Sequence, residues 1–191
     1  MEVMLFPATG WRSPEEYVEI ENLTDSRNEY WNGKIVAPGG SPLAHCHLTA
    51  ALTCEVSSRL KSPFRACGVG FRILVEATGV MLYPDLSIFR EPAPIKSKFT
   101  YSFMDPIVLV EVLAPESESR DRGSKFDHYR LIPALEEYIL VSSEHHAIDH
   151  FRRAANEEWA LSAIRGKDAV LTIDSVGISI PLARIYDRLS F

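Results

Sequence analysis

Two carboxylates stand out for the company they keep. Glu111 interrupts an otherwise apolar run, Ile107-Val108-Leu109-Val110-Glu111-Val112-Leu113, the pattern of a central strand covered on both faces. An unpaired charge there costs on the order of several kcal/mol, so the group calls for a cation or a strong donor. The plainer alternative is a strand end, because Ala114-Pro115 follows closely and the side chain would then point to water. Asp85 follows Tyr83-Pro84, where proline holds its predecessor extended and breaks the strand. Pro-Asp is also a common turn pair, yet strand character resumes at once in Leu86-Ser87-Ile88-Phe89. A carboxylate at such a break, beside a second strand carrying its own, makes a divalent-cation site. Magnesium takes one or two protein carboxylates and fills its other positions with water and phosphate oxygens. A third component is Lys125, which shares one face of a predicted helix with Asp121 and Tyr129 at four-residue spacing. Alone, Asp121 and Lys125 make an ordinary exposed ion pair of a few tenths of a kcal/mol. Beside two metal-holding acids, Lys125 becomes a group that polarises an attacking water or stabilises a pentavalent phosphate.

The elements that must position these groups are legible in outline. Ser13-Pro14-Glu15-Glu16 announces a helix to about Glu21, with Ser13 as N-cap and Pro14 in the first turn. Asn32-Gly33 between short β-prone runs predicts a hairpin, because both turn positions need positive φ. After the loop Pro38-Gly39-Gly40-Ser41-Pro42, the spacing of Leu48, Leu52, Val56 and Leu60 predicts an amphipathic helix from about Pro42 to Leu60. Strands are expected over Val69 to Val75, Val80 to Tyr83 and Leu86 to Phe89, then a surface loop from Glu91 to Asp105. The Glu111 strand is followed by a helix from about Ser119 to Arg130, stopped near Pro133. Further strands are expected at Glu137 to Val141, Ala147 to Arg152, Trp159 to Ile164 and Val170 to Ile173, and a short helix at Pro181 to Arg188. This order predicts an α/β (α+β) fold, a mixed central sheet flanked by helices.

Bulk properties narrow the function. With 191 residues, 46% hydrophobic and 24% charged, the whole span 1–191 is expected to form one globular domain. The net charge of −6 argues against a broad basic face for DNA, so any nucleic-acid contact must rest on a local basic patch with a metal, or on a partner. Three cysteines without a CxxC pair speak against a disulfide framework and structural zinc. His45-Cys46-His47 resembles a ligand cluster, but sequence neighbours diverge on a helix or a strand. Met1 to Pro7 lacks signal-peptide character and no apolar run nears a membrane span, so a cytoplasmic, membrane-free protein is expected. Trp11, Tyr101 and Phe103 fall in predicted loops and offer an apolar patch for dimerisation. His145-His146 sits in a predicted turn and is given no role.

Taken together, Tyr83-Pro84-Asp85, Glu111-Val112-Leu113, Asp121-Arg122-Gly123-Ser124-Lys125-Phe126 and Glu137-Tyr138 resemble the Uma-two family of bacterial restriction-endonuclease-like proteins, in the PD-(D/E)XK nuclease superfamily. Glu29-Tyr30 with Asn32-Gly33, Gly40-Ser41 with His45, and the stretch from Asp174 to Tyr186 extend the resemblance over nearly the whole chain. It implies a restriction-endonuclease-like core hydrolysing nucleic acid, DNA ahead of RNA, with Mg²⁺ or Mn²⁺. Asp85 and Glu111 would be the metal-binding acids, the Val112 carbonyl a further ligand, and Glu29 an additional acid. The superfamily's lysine would stand at position 113, which is Leu113 here; Lys125 is the expected migrated substitute. His45 would contact a phosphate or orient Glu29, and a homodimer would serve two strands. The competing expectation is a non-catalytic or regulatory protein on the same fold.

Overall fold

A computed structural model describes residues 10–24, 26–91 and 102–191. The expectations placed on Met1 to Pro7, on most of the Glu91 to Asp105 loop and on Tyr101 lie outside the described residues. Helix α1 (Pro14–Leu23) begins with a reciprocal cap: Glu16 N donates to Ser13 Oγ at 3.2 Å and Ser13 N to Glu16 Oε2 at 2.8 Å. Strands β1 (Glu29–Trp31) and β2 (Lys34–Val36) form the expected hairpin, with Asn32 at φ 46° and Gly33 at φ 91°. The Trp11 ring lies where a Cβ on Gly33 would stand, so no larger residue fits at that turn.

Helix α2 (Leu43–Ser57) is followed by β3 (Phe64–Gly68), β4 (Arg72–Val75), β5 (Val80–Leu82), β6 (Leu86–Arg90), β7 (Ser102–Phe103) and β8 (Val108–Leu113). The strand expected over Val69 to Val75 is thus shorter, and β3 precedes it in a different sheet. Gly70 at φ 112° explains the break, since glycine alone takes that backbone readily. Phe103 belongs to β7 and stacks on Phe71 at 4.3 Å. It therefore packs against the core and does not join Trp11 in a surface patch.

From β8 the chain crosses over through α3 (Glu118–Arg120), a π-helical turn (Asp121–Lys125) and α4 (Phe126–Tyr129) to β9 (Glu137–Ser142). Then follow β10 (Ala147–Arg153), β11 (Trp159–Arg165), β12 (Val170–Ile173), β13 (Ile178–Pro181) and α5 (Leu182–Ile185). Six strands form one mixed sheet in the order β11-β10-β9-β8-β6-β3, parallel only between β8 and β9. A five-stranded sheet, β2-β1-β5-β4-β7, carries the hairpin, and β12 pairs with β13. No helix among the described residues is long and apolar enough to cross a membrane.

Both faces of β8 are covered. Val108, Val110 and Val112 pack with α2, α5, β12 and β13, while Leu109 and Leu113 face Ile132, Leu135, Tyr129 and Tyr138. Period-two alternation puts Glu111 between Leu109 and Leu113, on the second face. Glu111 is 3% exposed, so the strand-end alternative fails.

Glu137, at the start of β9, ties three elements together. Its Oε2 lies 2.5 Å from His150 Nε2 on β10, and its Oε1 accepts from Ser175 N at 2.6 Å. Removing one member of a buried, hydrogen-bonded pair costs about 3–5 kcal/mol. Glu137→Ala is expected to lower unfolding stability by that amount in urea titrations, and Glu137→Gln by less. A parent-like midpoint for Glu137→Ala would show that the clamp contributes nothing.

Candidate active site

The strand pair β6 and β8 sets the two acids. Its ladder ends at Leu86 opposite Val110, and one more step of that register places Asp85 across from Glu111. Pro84 halts the ladder there, and Asp85 bonds across the gap instead: its Oδ2 accepts from Val112 N at 2.8 Å. Helix α1 supports this corner, since Glu21 accepts from Tyr83 at 3.1 Å and from Asn28 at 3.0 Å, next to Glu29.

The β8–β9 crossover delivers the lysine. Tyr138 of β9 donates to the Asp121 carbonyl at 2.9 Å, drawing on the acceptor that a regular helix would offer to the Lys125 amide. The expected uninterrupted helix is accordingly opened into a π turn over Asp121–Lys125, a local widening common at functional sites. Lys125 Nζ stands 3.0 Å from Glu111 Oε1, 3.1 Å from Glu29 Oε1 and 3.1 Å from Asp121 Oδ1. The ammonium donates a hydrogen bond to Glu111, while Glu29 and Asp121 stand within ion-pair distance. Tyr129, one turn along, donates to Glu111 Oε1 at 3.1 Å.

Glu29, Glu111, Asp121 and Lys125 are all less than a tenth exposed. With Asp85 and His45 they line one cleft of about 490 Å³, bordered by the Pro38–Ser41 loop and Arg120. Burial would by itself depress the Lys125 ammonium, but Glu111, Glu29 and Asp121 together hold its pKa above the ordinary lysine value. Burial pushes the Glu111 carboxyl well up, and the neighbouring acids add to that, although Lys125 pulls it down. Burial also raises the Tyr129 hydroxyl, reinforced by the charge of Glu111. His45 is raised chiefly by its hydrogen bond to Asp85, whose Oδ2 lies 3.2 Å from Nε2.

Of the residues singled out in the sequence, Glu29, Glu111 and Lys125 meet directly, while Asp85 and Val112 bond to each other in the same cleft. His45 faces Asp85 rather than Glu29, a correction that follows from its place in the first turn of α2. The rest of the His45-Cys46-His47 triplet diverges: His47 Nε2 lies 2.7 Å from the Asp187 carbonyl, and Cys46 Sγ points to Ser41 O at 3.8 Å. Two participants were missed. Asp121 was read only as a helix partner of Lys125, though that spacing was the available signal; Arg120, 3.5 Å from Glu29, left none.

The donor set fits a hard cation. Among the described residues, no hydrogen bond engages Asp85 Oδ1 or Glu111 Oε2. Among the described residues lining the cleft, five carboxylates, Glu29, Asp85, Glu111, Glu116 and Asp121, stand with Lys125, Arg27, Arg120 and His45. The same residues include no trio of His, Cys, Asp or Glu side chains placed to hold an ion unaided.

A mixed sheet flanked by helices, with acids on adjacent strands and a lysine on the crossover, defines a nuclease-like fold. The chain belongs to the Uma2 family, described as "Putative restriction endonuclease", whose model matches residues 14–183. An uncharacterised protein of Synechocystis sp. is 32% identical over 182 residues, covering 94% of this chain and 93% of its own. A second one from the same organism is 24% identical over 171 residues, covering 87% and 95%. In structure, the chain resembles "a putative nuclease belonging to DUF820" from Anabaena variabilis, with a TM-score of 0.75 at 15% identity over 91% of this chain and 97% of that one.

The buried Glu111 carries a pH signature. Above pH 4.5, its ordinary value, the unfolded chain has lost a proton that the folded protein keeps until its raised pKa. Metal-free stability should therefore fall as pH rises through that window. Glu111→Gln is expected to flatten this slope and to exceed the parent at its upper end, read as urea midpoints against pH in chelator. A parent midpoint rising across the window would contradict the assignment.

Proposed function

We propose that this protein is a divalent-cation-dependent nuclease that hydrolyses phosphodiester bonds of nucleic acid, DNA ahead of RNA. The observation that carries the reading is the contact of Lys125 with Glu111, Glu29 and Asp121 at 3.0–3.1 Å, in the cleft that also holds Asp85. Asp85 and Glu111, with the Val112 carbonyl, would hold Mg²⁺ or Mn²⁺. Such an ion lowers the pKa of bound water and neutralises phosphate charge.

The chain's own residues do the rest. His45 and the Val112 amide fix the Asp85 carboxylate by gripping Oδ2, leaving Oδ1 toward the cleft. Tyr129 fixes Glu111 in the same way through Oε1. Lys125 is too firmly protonated to serve as a base; it acts as a fixed positive charge where a pentavalent phosphate gathers negative charge. Glu29 and Asp121 keep the ammonium in place when its bond to Glu111 loosens. Cutting both strands of a duplex calls for two such centres, which a homodimer supplies.

A regulatory, non-catalytic reading has one observation in its favour: Lys125 is already surrounded by three acids, and position 113 holds a buried leucine. Calorimetric titration of Mg²⁺ and Mn²⁺ into the parent, Asp85→Ala and Glu111→Ala, beside plasmid and single-strand cleavage assays, separates the two. Binding is expected in the parent and absent in both variants. Lys125→Met is expected to retain binding and lose about a hundredfold or more in cleavage rate. Binding with no cleavage by the parent would establish the regulatory reading; no binding would make Asp85 and Glu111 structural.

A further inference from the structure

A second cavity opens from the cleft. It has a volume of about 760 Å³ and shares Arg27, Ser41, His45, Val69 and Asp85 with the first. One wall is a face of α2: Cys46, Thr49, Ala50, Thr53, Cys54 and Ser57 recur at intervals of three and four, so they form one stripe along the helix. The opposite wall is Gly68 and Val69, where β3 ends. A Cβ on Gly68 would stand 3.4 Å from Thr53 Oγ1, in ordinary contact, so the two walls lie close together there.

Three observations say what fits this groove. First, its charge: among the described residues Asp85 is its sole carboxylate, and Arg27 and His45 also line it, in a chain of net charge −6. Second, Arg27 is exposed, makes no ion pair among the described residues and has a left-handed backbone, φ 52°. An arginine held in that sparsely populated conformation at the junction of two cavities is placed for use rather than for packing. Third, Thr49 is more than nine-tenths buried and lines the groove, yet its hydroxyl has no hydrogen-bond partner. Buried hydroxyls are nearly always satisfied, so this one is a donor and acceptor in reserve.

We infer that the groove beside α2 receives a single nucleic-acid strand running on from the scissile phosphate, with Arg27 gripping a phosphate at the junction. The inference rests on the nuclease reading above. A duplex presents its phosphates outward and is held by many cations, whereas this groove offers one free arginine over an apolar, hydroxyl-bearing floor. Such a surface suits unpaired bases, whose faces and edges are accessible only in a single strand. His45 links the two cavities: it contacts Asp85 in the cleft and stands one residue before Cys46 on the stripe.

Fluorescence anisotropy with a labelled oligothymidylate and a duplex of equal length, in calcium at several salt concentrations, tests this. Ala50 is exposed, so Ala50→Glu places a charge in the groove without disturbing the core. Ala50→Glu is expected to weaken single-strand binding about tenfold or more through like-charge repulsion. Arg27→Ala is expected to weaken it too and to reduce the slope of log affinity against log salt by about 0.7. Duplex binding should be nearly unchanged in both. Parent-like single-strand binding by both variants, with a parent that binds and cleaves, would overturn the groove and leave the nuclease reading intact. Loss confined to the duplex would overturn the single-strand assignment. A parent that binds no oligonucleotide would overturn both readings together.

Discussion

One buried ammonium organises this protein. Lys125 is 7% exposed and stands among three carboxylates from three separate elements: Glu29 on the hairpin, Glu111 on the central strand and Asp121 on the crossover. None of these acids tolerates burial alone, because an isolated charge in a poorly polarisable interior costs on the order of several kcal/mol. Their common counter-ion therefore dictates where the hairpin sheet, the central sheet and the crossover meet. Three acids around one lysine leave a surplus of negative charge at this junction.

The position of that lysine follows from strand alternation. On β8, residues 109, 111 and 113 share a face, and Leu109 and Leu113 belong there to a cluster with Ile132, Leu135 and two tyrosines. A lysine at position 113 would have to thread that apolar layer. Lys125 reaches the Glu111 carboxylate from the crossover above, and the π turn set by Tyr138 adjusts its height. Tyrosine hydroxyls do the fine placement on both sides: Tyr129 on the acid, Tyr138 on the turn that carries the Lys125 ammonium.

An acidic protein proposed to act on a polyanion must concentrate its attraction. Charge here is distributed unevenly: the cleft collects carboxylates, while the adjoining groove has only Asp85 of these among the described residues and shares Arg27 with the cleft. Affinity would then come from the ion and from base contacts rather than from a long-range field. Under the proposed function, the −6 charge is therefore compatible with a nucleic-acid substrate.

Sequence alone determined what is local. The Ser13 cap, the Asn32-Gly33 turn, the apolar β8 run and the spacing of Asp121, Lys125 and Tyr129 are encoded within a few residues by backbone preference and periodicity. Motifs at Asp85 and Glu111 were legible because carboxylates beside proline and inside an apolar run are physically conspicuous. The place of Phe103 in β7 and the π turn were not, because each depends on a partner distant in the chain. His45 illustrates the limit: its type was noticed, but only the packing of α2 beside β6 decided that it meets Asp85 and not Glu29. Tertiary structure alone made Asp121 and Arg120 members of the cluster and left Arg27 without an ion-pair partner. Electrostatic partnership is a matter of a few ångströms, and sequence separation carries no information about it.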